Sequence, residues 1–196
     1  DLAELVSIAH QHGIRIVMDA VINHTGPVTE QDKVWPNDWV RTSPKCEFNS
    51  YETAVPCALV ENLPDILTES NENVELPKEL IEKWKKEGRY ELEMAELDAF
   101  FERTGYPRAP RFYIIKWLSD FVRDFGIDGF RADTVRHIEE EVWAEFKKEC
   151  ETAFADWKQQ NTDQILDDNK FYMVGEVYGY NIISSGKSFD FGEMQI

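Results

Sequence analysis

Positive charge and long hydrophobic runs are both scarce in this sequence. Lys and Arg number 21 against 38 Asp and Glu, which gives a formal net charge of −17 over 196 residues. Nucleic acids and anionic membranes are bound by clustered cations, and the sequence has no such cluster. No apolar run reaches the roughly 18 residues that cross a bilayer. We therefore expect no nucleic-acid partner and no membrane partner.

Cysteine is scarce as well, with three residues in the chain. Cys46 and Cys57 lie in a polar, proline-containing stretch. They either form a disulfide, which would indicate an oxidising compartment, or remain two free thiols, and both interpretations stay open. Cys150 lies on the apolar stripe of a predicted helix, so we expect it in the core.

The residues that are abundant indicate a globular protein. Hydrophobic residues make up 42% of the chain and aromatic residues 13%. This is enough for one hydrophobic core and excludes a disordered chain. Because the sequence starts at Asp1 rather than Met, we expect it to be a segment of a longer protein.

Helices alternate with β-strands at both ends of the chain. Helical spacing of apolar residues or short β-branched runs predict, in order, a helix at 2–12, a strand at 14–22, a helix at 114–125, a strand at 127–133, a helix at 142–157 and a strand at 171–174. The strand at 14–22 is nearly continuous in apolar residues, which is typical of a strand buried on both faces. The alternation predicts an α/β fold with a parallel sheet.

A stretch of different composition separates the first strand from the second helix. Residues 25–78 are rich in Pro, Asn, Thr and Glu, and residues 79–103 predict one or two charged helices. This is too long for an ordinary βα loop. We expect a loop-rich inserted subdomain, residues 25–111, named the insertion below. The flanking ranges, 1–24 and 112–196, are together named the barrel segment.

Polar residues follow each predicted strand at its carboxyl end. They are Asp19, Asn23 and His24 at the first strand, Arg131, Asp133, Arg136 and His137 at the second, and Glu176 at the third. A polar residue beside an apolar run is costly unless it is paired or used. Because parallel strands end at the same edge of a sheet, we expect these residues to form one site.

Two carboxylates at neighbouring strand ends suit cleavage of a glycosidic bond. A retaining glycosidase needs a nucleophile and a general acid about 5 to 5.5 Å apart. Arg131 precedes Asp133 by two residues, so both side chains point to one face and the guanidinium can hold Asp133 ionised, as a nucleophile requires. Glu176 has no neighbouring cation in the sequence and follows an apolar run, which suits a general acid.

Four segments resemble, in order and spacing, signature regions of the α-amylase family of glycoside hydrolases. They read DAVINH at 19–24, LPD at 63–65, GFRADTVRH at 129–137 and GEV at 175–177. The resemblance implies part of a TIM (β/α)8 barrel, about three of its eight strands, running from the helix before strand three to just beyond strand five. It also implies that the insertion is the family's B domain.

The resemblance implies a role for each matching residue. Asp133 would be the nucleophile, Glu176 the general acid/base, and Arg131 the residue that orients Asp133. His24 would bind the sugar where cleavage occurs, and Arg136 and His137 would border the leaving-group side. The family usually has Lys at the position of Arg136, so specificity on that side is open. Asp19 is expected to support the site.

The resemblance also implies a structural calcium ion. Asn23, Asp65 and the backbone carbonyl of His137 match calcium ligands of the family. Calcium takes oxygen ligands from several segments, so such a site would join the insertion to the barrel.

The family's fourth signature, with a third catalytic carboxylate, is missing from this chain. Three strands cannot close a barrel, and open sheet edges pair with other chains. We therefore expect the chain alone to be inactive, to self-associate, and to require the remainder of the barrel as its partner.

The activity implied is retaining hydrolysis of α-1,4-glucosidic bonds in starch, glycogen or maltodextrins. The alternatives are a glucan transglycosylase, a relative specific for α-1,6 bonds or short oligosaccharides, and a non-catalytic carbohydrate-binding relative. The glucan substrate and the cysteine pair favour secretion or a periplasmic location. Trp35, Trp39, Tyr178 and Tyr180 either stack on sugar rings or pack in the protein.

Overall fold

Five α-helices and two small sheets form the part of the chain that the structure, a computed structural model, describes, residues 1–50 and 52–177. In chain order the elements are α1 (Leu2–Gln11), β1 (Val17–Ala20), β2 (Val40–Arg41), β3 (Asp65–Ile66), α2 (Lys78–Lys86), α3 (Tyr90–Thr104), α4 (Pro110–Phe125), β4 (Gly129–Ala132), a 3-10 helix (Val135–His137), α5 (Glu140–Gln160) and β5 (Tyr172–Gly175). Tyr178 and Tyr180 lie outside the described residues, so their stacking stays untested.

The larger sheet has three parallel strands in the order β1-β4-β5. In its register Ala20 pairs with Ala132, which pairs with Gly175, so all three strands end level with one another. α4 precedes β4, and α5 crosses over from β4 to β5. The predicted alternation of helices and parallel strands is confirmed.

Apolar side chains of α4, α5 and β4 form the core behind this sheet. Ile115, Phe130 and Phe146 are fully buried there, with Phe130 stacked on Phe146. Cys150 is buried in the same core, as expected. The turn between α4 and β4 requires a glycine. Gly126 has φ +73°, and a Cβ there would lie 2.2 Å from the ring of Trp157.

The expectation that the first strand is buried on both faces is wrong. β1 is an edge strand of the described sheet, and its only strand partner among the described residues is β4. Val17 is 46% exposed and Asp19 is exposed. Continuous apolar composition indicates a strand suited to burial on both faces, but the burial itself depends on neighbouring elements, which the described residues do not supply here.

The insertion has little regular structure outside its helices. β2 and β3 are two residues long and antiparallel, with Val40 opposite Ile66 and Arg41 opposite Asp65. The charged helices number two, α2 and α3. Trp39 is fully buried and its Nε1 donates to the carbonyl of Glu75, 2.7 Å away, so it packs in the protein. α4 begins at Pro110, inside the predicted insertion, and the predicted subdomain boundaries remain a prediction.

Among the described residues no helix is both long and apolar enough to cross a bilayer.

Candidate active site

The carboxyl ends of the three parallel strands bring the predicted catalytic residues together. The Asp133 amide donates to the carbonyl of Ala20, 3.0 Å away, and the Glu176 amide donates to the carbonyl of Ala132, 2.8 Å away. These bonds extend the ladder by one residue past β4 and past β5. They hold Asp133 and Glu176 at one edge of the sheet, as the strand pattern predicts.

Arg131 is at the centre of this edge and contacts three carboxylates. Its Nη1 donates to Asp19 Oδ1 at 2.7 Å and to Asp133 Oδ1 at 2.8 Å. Its Nη2 forms an ion pair with Glu176 Oε1 at 2.7 Å. Asp19 and Arg131 are opposite each other in the β1–β4 register, which explains how one guanidinium reaches across three strands.

Glu176 has no neighbouring cation in the sequence, but Arg131 contacts it in the fold. The sequence did not reveal this contact since Arg131 and Glu176 are 45 positions apart on adjacent strands. Neighbouring strands are only about 4.8 Å apart, which a long Arg side chain spans easily. The contact uses Oε1, while Oε2 lies 3.5 Å from the amide nitrogen of Thr134.

The turn after Asp133 has an unusual backbone. Thr134 has φ +50°, a left-handed conformation that β-branched residues rarely adopt. The next amide, of Val135, donates to the Glu176 carbonyl at 3.2 Å. The turn therefore joins Val135, two residues after the predicted nucleophile, to the backbone of the predicted acid, and strain of this kind is found at functional sites.

Two histidines belong to the predicted site, and burial favours the neutral form of both. Burial lowers the pKa of His24, against the opposing effect of Asp133 and with a further lowering by His137. Burial also lowers the pKa of His137, against its hydrogen bond to a backbone carbonyl, and Arg136 lowers it further. Neutral imidazoles can both donate to and accept from sugar hydroxyl groups.

The insertion holds His137 through the loop that a disulfide closes. Cys46 and Cys57 are bonded, which resolves the alternative that the sequence leaves open. Inside that loop the carbonyl of Ala54 lies 2.7 Å from His137 Nδ1. A carbonyl can only accept, so His137 carries a proton on Nδ1. Sequence reasoning missed Ala54, because a backbone carbonyl has no signature in the residue type.

Of the predicted calcium ligands, Asn23 and Asp65 lie together. Asn23 Nδ2 donates to Asp65 Oδ1 at 2.9 Å, and Asp65 Oδ2 pairs with Arg41 Nε at 3.1 Å. Burial raises the pKa of the Asp65 carboxyl, and Arg41 and Asn23 oppose that shift. His137, whose carbonyl is the third predicted ligand, lies in the 3-10 helix after β4.

As they stand, these residues do not fit a calcium ion. Calcium takes six to eight oxygen ligands, and both oxygens of Asp65 already face nitrogen groups. No cluster of three or more acidic, His or Cys residues suited to a metal occurs within residues 1–50 and 52–177. Sequence reasoning missed Arg41, which no local pattern connects to Asp65. The calcium site itself stays a prediction.

A groove of about 580 Å³ opens beside His24 between the insertion and α4. Trp35, Trp84 and Trp117 lie along it. Trp35 is partly exposed and meets Trp39 edge to face, so it packs in the protein and also faces the groove. The groove gives His24 an apolar, aromatic surface, and Asp133 and Glu176 do not line it.

Comparisons with known proteins match nearly the whole chain. The sequence profile described as "Alpha amylase, catalytic domain" matches residues 1–185. The periplasmic alpha-amylase of Escherichia coli (strain K12) is 31% identical over 94% of this chain and 33% of its own length. A cyclomaltodextrinase of a Bacillus species is 25% identical over 96% of this chain and 27% of its own length. The chain thus spans about a third or less of these relatives.

Solved structures of alpha-amylases share the fold. One from Geobacillus thermoleovorans, complexed with acarbose, has a TM-score of 0.55 at 22% identity, covering 91% of this chain and 29% of that one. One from Anoxybacillus has a TM-score of 0.56 at 20% identity, covering 90% of this chain and 28% of that one. The expected fold, part of a TIM barrel, is confirmed. The chain therefore belongs to the alpha-amylase catalytic-domain family.

Proposed function

We propose that this protein is a retaining glycoside hydrolase that cleaves α-1,4-glucosidic bonds of starch, glycogen or maltodextrins. One observation carries the proposal: Asp133 and Glu176, from adjacent strand ends, both contact the guanidinium of Arg131. Strands about 4.8 Å apart suit the separation of about 5 to 5.5 Å that retaining enzymes use.

The reaction divides into two displacements. Asp133 attacks the anomeric carbon while Glu176 gives its proton to the glycosidic oxygen, which leaves as the alcohol of the released chain. Glu176, now ionised, then removes a proton from water, and the resulting hydroxide displaces Asp133 from the sugar. Arg131 keeps Asp133 oriented through Oδ1. Its Nη2 pairs with Glu176 through Oε1.

The two histidines and Arg136 are proposed to contact the sugar rather than to react. His24, beside the aromatic groove, would bind hydroxyl groups of the glucose unit at the cleavage point. His137 and Arg136 would border the unit on the leaving-group side. His137 Nδ1 donates to the carbonyl of Ala54 at 2.7 Å, which orients the ring.

Three alternative functions are compatible with some of these contacts. A transglycosylase or an α-1,6 or oligosaccharide-specific enzyme would use the same carboxylates, and a cyclomaltodextrinase is among the relatives. A non-catalytic binding protein is disfavoured by the presence of Asp133, Glu176 and Arg131 in mutual contact.

The sheet edges support a role for further barrel strands as the partner of this chain. Among the described residues β1 and β5 each pair only with β4. Val17 beside one edge and Tyr172 beside the other are 46% and 52% exposed. We propose that further barrel strands cover both edges, and that the isolated chain is inactive and self-associates through them. Secretion or a periplasmic location is proposed from the disulfide and from the periplasmic relative.

The test is product release by the full-length protein, with Asp133→Asn as the variant. The wild-type protein should release reducing sugar from soluble starch. The variant should do so at least about 10³-fold more slowly, because no glycosyl-enzyme can form. The matched control is Asp38→Asn, since Asp38 is exposed in the insertion. It should match wild type.

The products separate the proposal from its alternatives. Proton NMR should show the α-anomer first, as retention requires. Products longer than the starting oligosaccharide would indicate transfer instead of hydrolysis. Binding of starch without release by the wild type would indicate a carbohydrate-binding protein and contradict the proposal.

A further inference from the structure

Arg41 and Asp65 form a nearly buried ion pair where the insertion meets the barrel. They face each other in the β2–β3 register, and Arg41 Nε lies 3.1 Å from Asp65 Oδ2. The two side chains are 14% and 4% exposed. An unpaired carboxylate is very costly at such a site, and Arg41 is the cation in contact with Asp65.

The other side of Asp65 is joined to the end of β1. Asn23 Nδ2 donates to Asp65 Oδ1 at 2.9 Å, and the amide of Ile66 donates to the carbonyl of Asn23 at 2.8 Å. His24 and Asp65 also form an isolated β-bridge. Asp65 thus stands between Arg41 of the insertion and Asn23, which precedes the predicted sugar-binding residue His24.

The guanidinium of Arg41 reaches a second carboxylate in the same loop. Its Nη2 donates to both carboxylate oxygens of Glu69. The neighbouring Thr68 donates from Oγ1 to Glu139 Oε2 at 2.7 Å, at the residue before α5 begins. The guanidinium therefore contacts two acidic groups, and the loop that holds them is joined to the barrel segment at a second point.

A divalent cation on Asp65 would meet both a like charge and competing donors. The guanidinium of Arg41 already faces Oδ2, and the amide of Asn23 takes Oδ1. For calcium to bind there, Arg41 would have to leave a site where its charge is largely shielded from water. Arg keeps its charge at every physiological pH, so it can serve as a permanent cation.

We propose that Arg41 takes the structural role of a calcium ion at this junction. Its guanidinium pairs with both Asp65 and Glu69 and holds the insertion at the end of β1 without a metal. The proposed role of Arg41 affects stability and not the reaction, so its test is independent of the proposed hydrolase activity.

The test is thermal unfolding of the full-length protein in EDTA and in millimolar CaCl2, for wild type, Arg41→Met, Asp65→Asn and the double variant. The difference in Tm between wild type and Asp65→Asn should be the same in both buffers, because calcium does not act through Asp65. Calcium bound elsewhere would shift all four proteins alike and leave that difference unchanged.

Arg41→Met should lower Tm by about 5 °C or more in both buffers, since it leaves a buried carboxylate unpaired. The double variant should be no less stable than Arg41→Met, because the two residues act as a pair. The matched control is Lys45→Met, whose ion pair with Glu61 is exposed and should leave Tm nearly unchanged. The proposal is overturned if calcium widens the gap between wild type and Asp65→Asn, or if calcium restores Arg41→Met to the wild-type Tm.

Discussion

The barrel segment and the insertion meet at the same site, but different forces hold their contributions in place. In the barrel segment Asp133 and Glu176 continue a parallel ladder backed by the buried Phe130 and Phe146. In the insertion the corresponding supports are a disulfide, the Arg41–Asp65 pair and the carbonyl of Ala54. The insertion's sheet has two strands of two residues each.

This difference matches the demands on each part. The carboxylates that are proposed to react need positions fixed to a fraction of an ångström, which a packed sheet provides. The insertion positions groups such as His137 that are proposed to contact the substrate without reacting, and a disulfide with a few polar contacts is enough for that. Changes in the barrel segment should therefore affect the rate most, and changes in the insertion should affect stability and substrate binding more.

The largest effect is expected from Arg131, which lies in the barrel segment. Arg131→Met leaves Asp19, Asp133 and Glu176 facing one another without a cation. We expect kcat on soluble starch to fall about 10³-fold, the loss typical of a preorganised charged group. Steady-state kinetics, with circular dichroism to verify folding, measure it.

Two further variants separate charge from geometry at Arg131. Arg131→Lys restores the charge but not the planar fork, so it should recover only part of kcat. The control is Arg15→Met. Arg15 is an exposed arginine just before β1 begins, and its ion pair with Asp167 is remote from the site, so this variant should retain wild-type kcat. Wild-type kcat in Arg131→Met would contradict the expectation that changes in the barrel segment affect the rate most.

The two regions can also be compared through matched glycines at helix ends. Gly126 ends α4 in the barrel segment with φ +73°, and Gly105 ends α3 in the insertion with φ +68°. A Cβ at Gly126 would overlap the Trp157 ring, whereas a Cβ at Gly105 meets nothing within 4 Å. Gly126→Ala should lower the free energy of unfolding by about 4 kcal/mol and Gly105→Ala by only about 1 kcal/mol.

Denaturant unfolding of both glycine variants measures that difference. Equal losses would mean that backbone strain alone matters and that the barrel segment is no more tightly packed than the insertion at these turns.

The convergence of Asp133, Arg131 and Glu176 at one edge of the sheet could be predicted because it follows from a repeating pattern, whereas the contact between Arg131 and Glu176 could not. Each strand is visible as an apolar run, and parallel strands end at a common edge, so the polar residues after them converge. The Arg41–Asp65 pair could not be predicted, since two-residue strands leave no periodicity to align. The exposure of β1 could not be predicted either, because burial of a strand depends on its neighbours in space.

In the insertion, loss of the disulfide is expected to have the next largest effect on stability. Cys46→Ser with Cys57→Ser removes a crosslink of 11-residue separation, which should lower stability by about 3 kcal/mol. Because Ala54 lies within the closed loop, KM for starch should rise while kcat changes little. Thermal unfolding and steady-state kinetics measure the two effects.

A reducing agent provides the control for the disulfide. It should bring wild type to the level of the double variant and leave the double variant unchanged. If kcat of the double variant fell as far as is expected for Arg131→Met, the insertion would position the proposed reacting groups as firmly as the barrel segment does.

The smallest effect is expected at Arg136, where the 3-10 helix after β4 approaches the insertion. Arg136→Lys keeps the charge and replaces a planar donor by a compact one. Because this residue is proposed to border the leaving-group side, where water and sugar compete for the glycosyl-enzyme, the change should shift the ratio of transfer to hydrolysis products only a few-fold. Chromatography of maltooligosaccharide products measures that ratio. An unchanged ratio with a higher KM would mean that Arg136 binds the sugar without selecting the acceptor, so that selection would depend on groups held by other parts of the barrel.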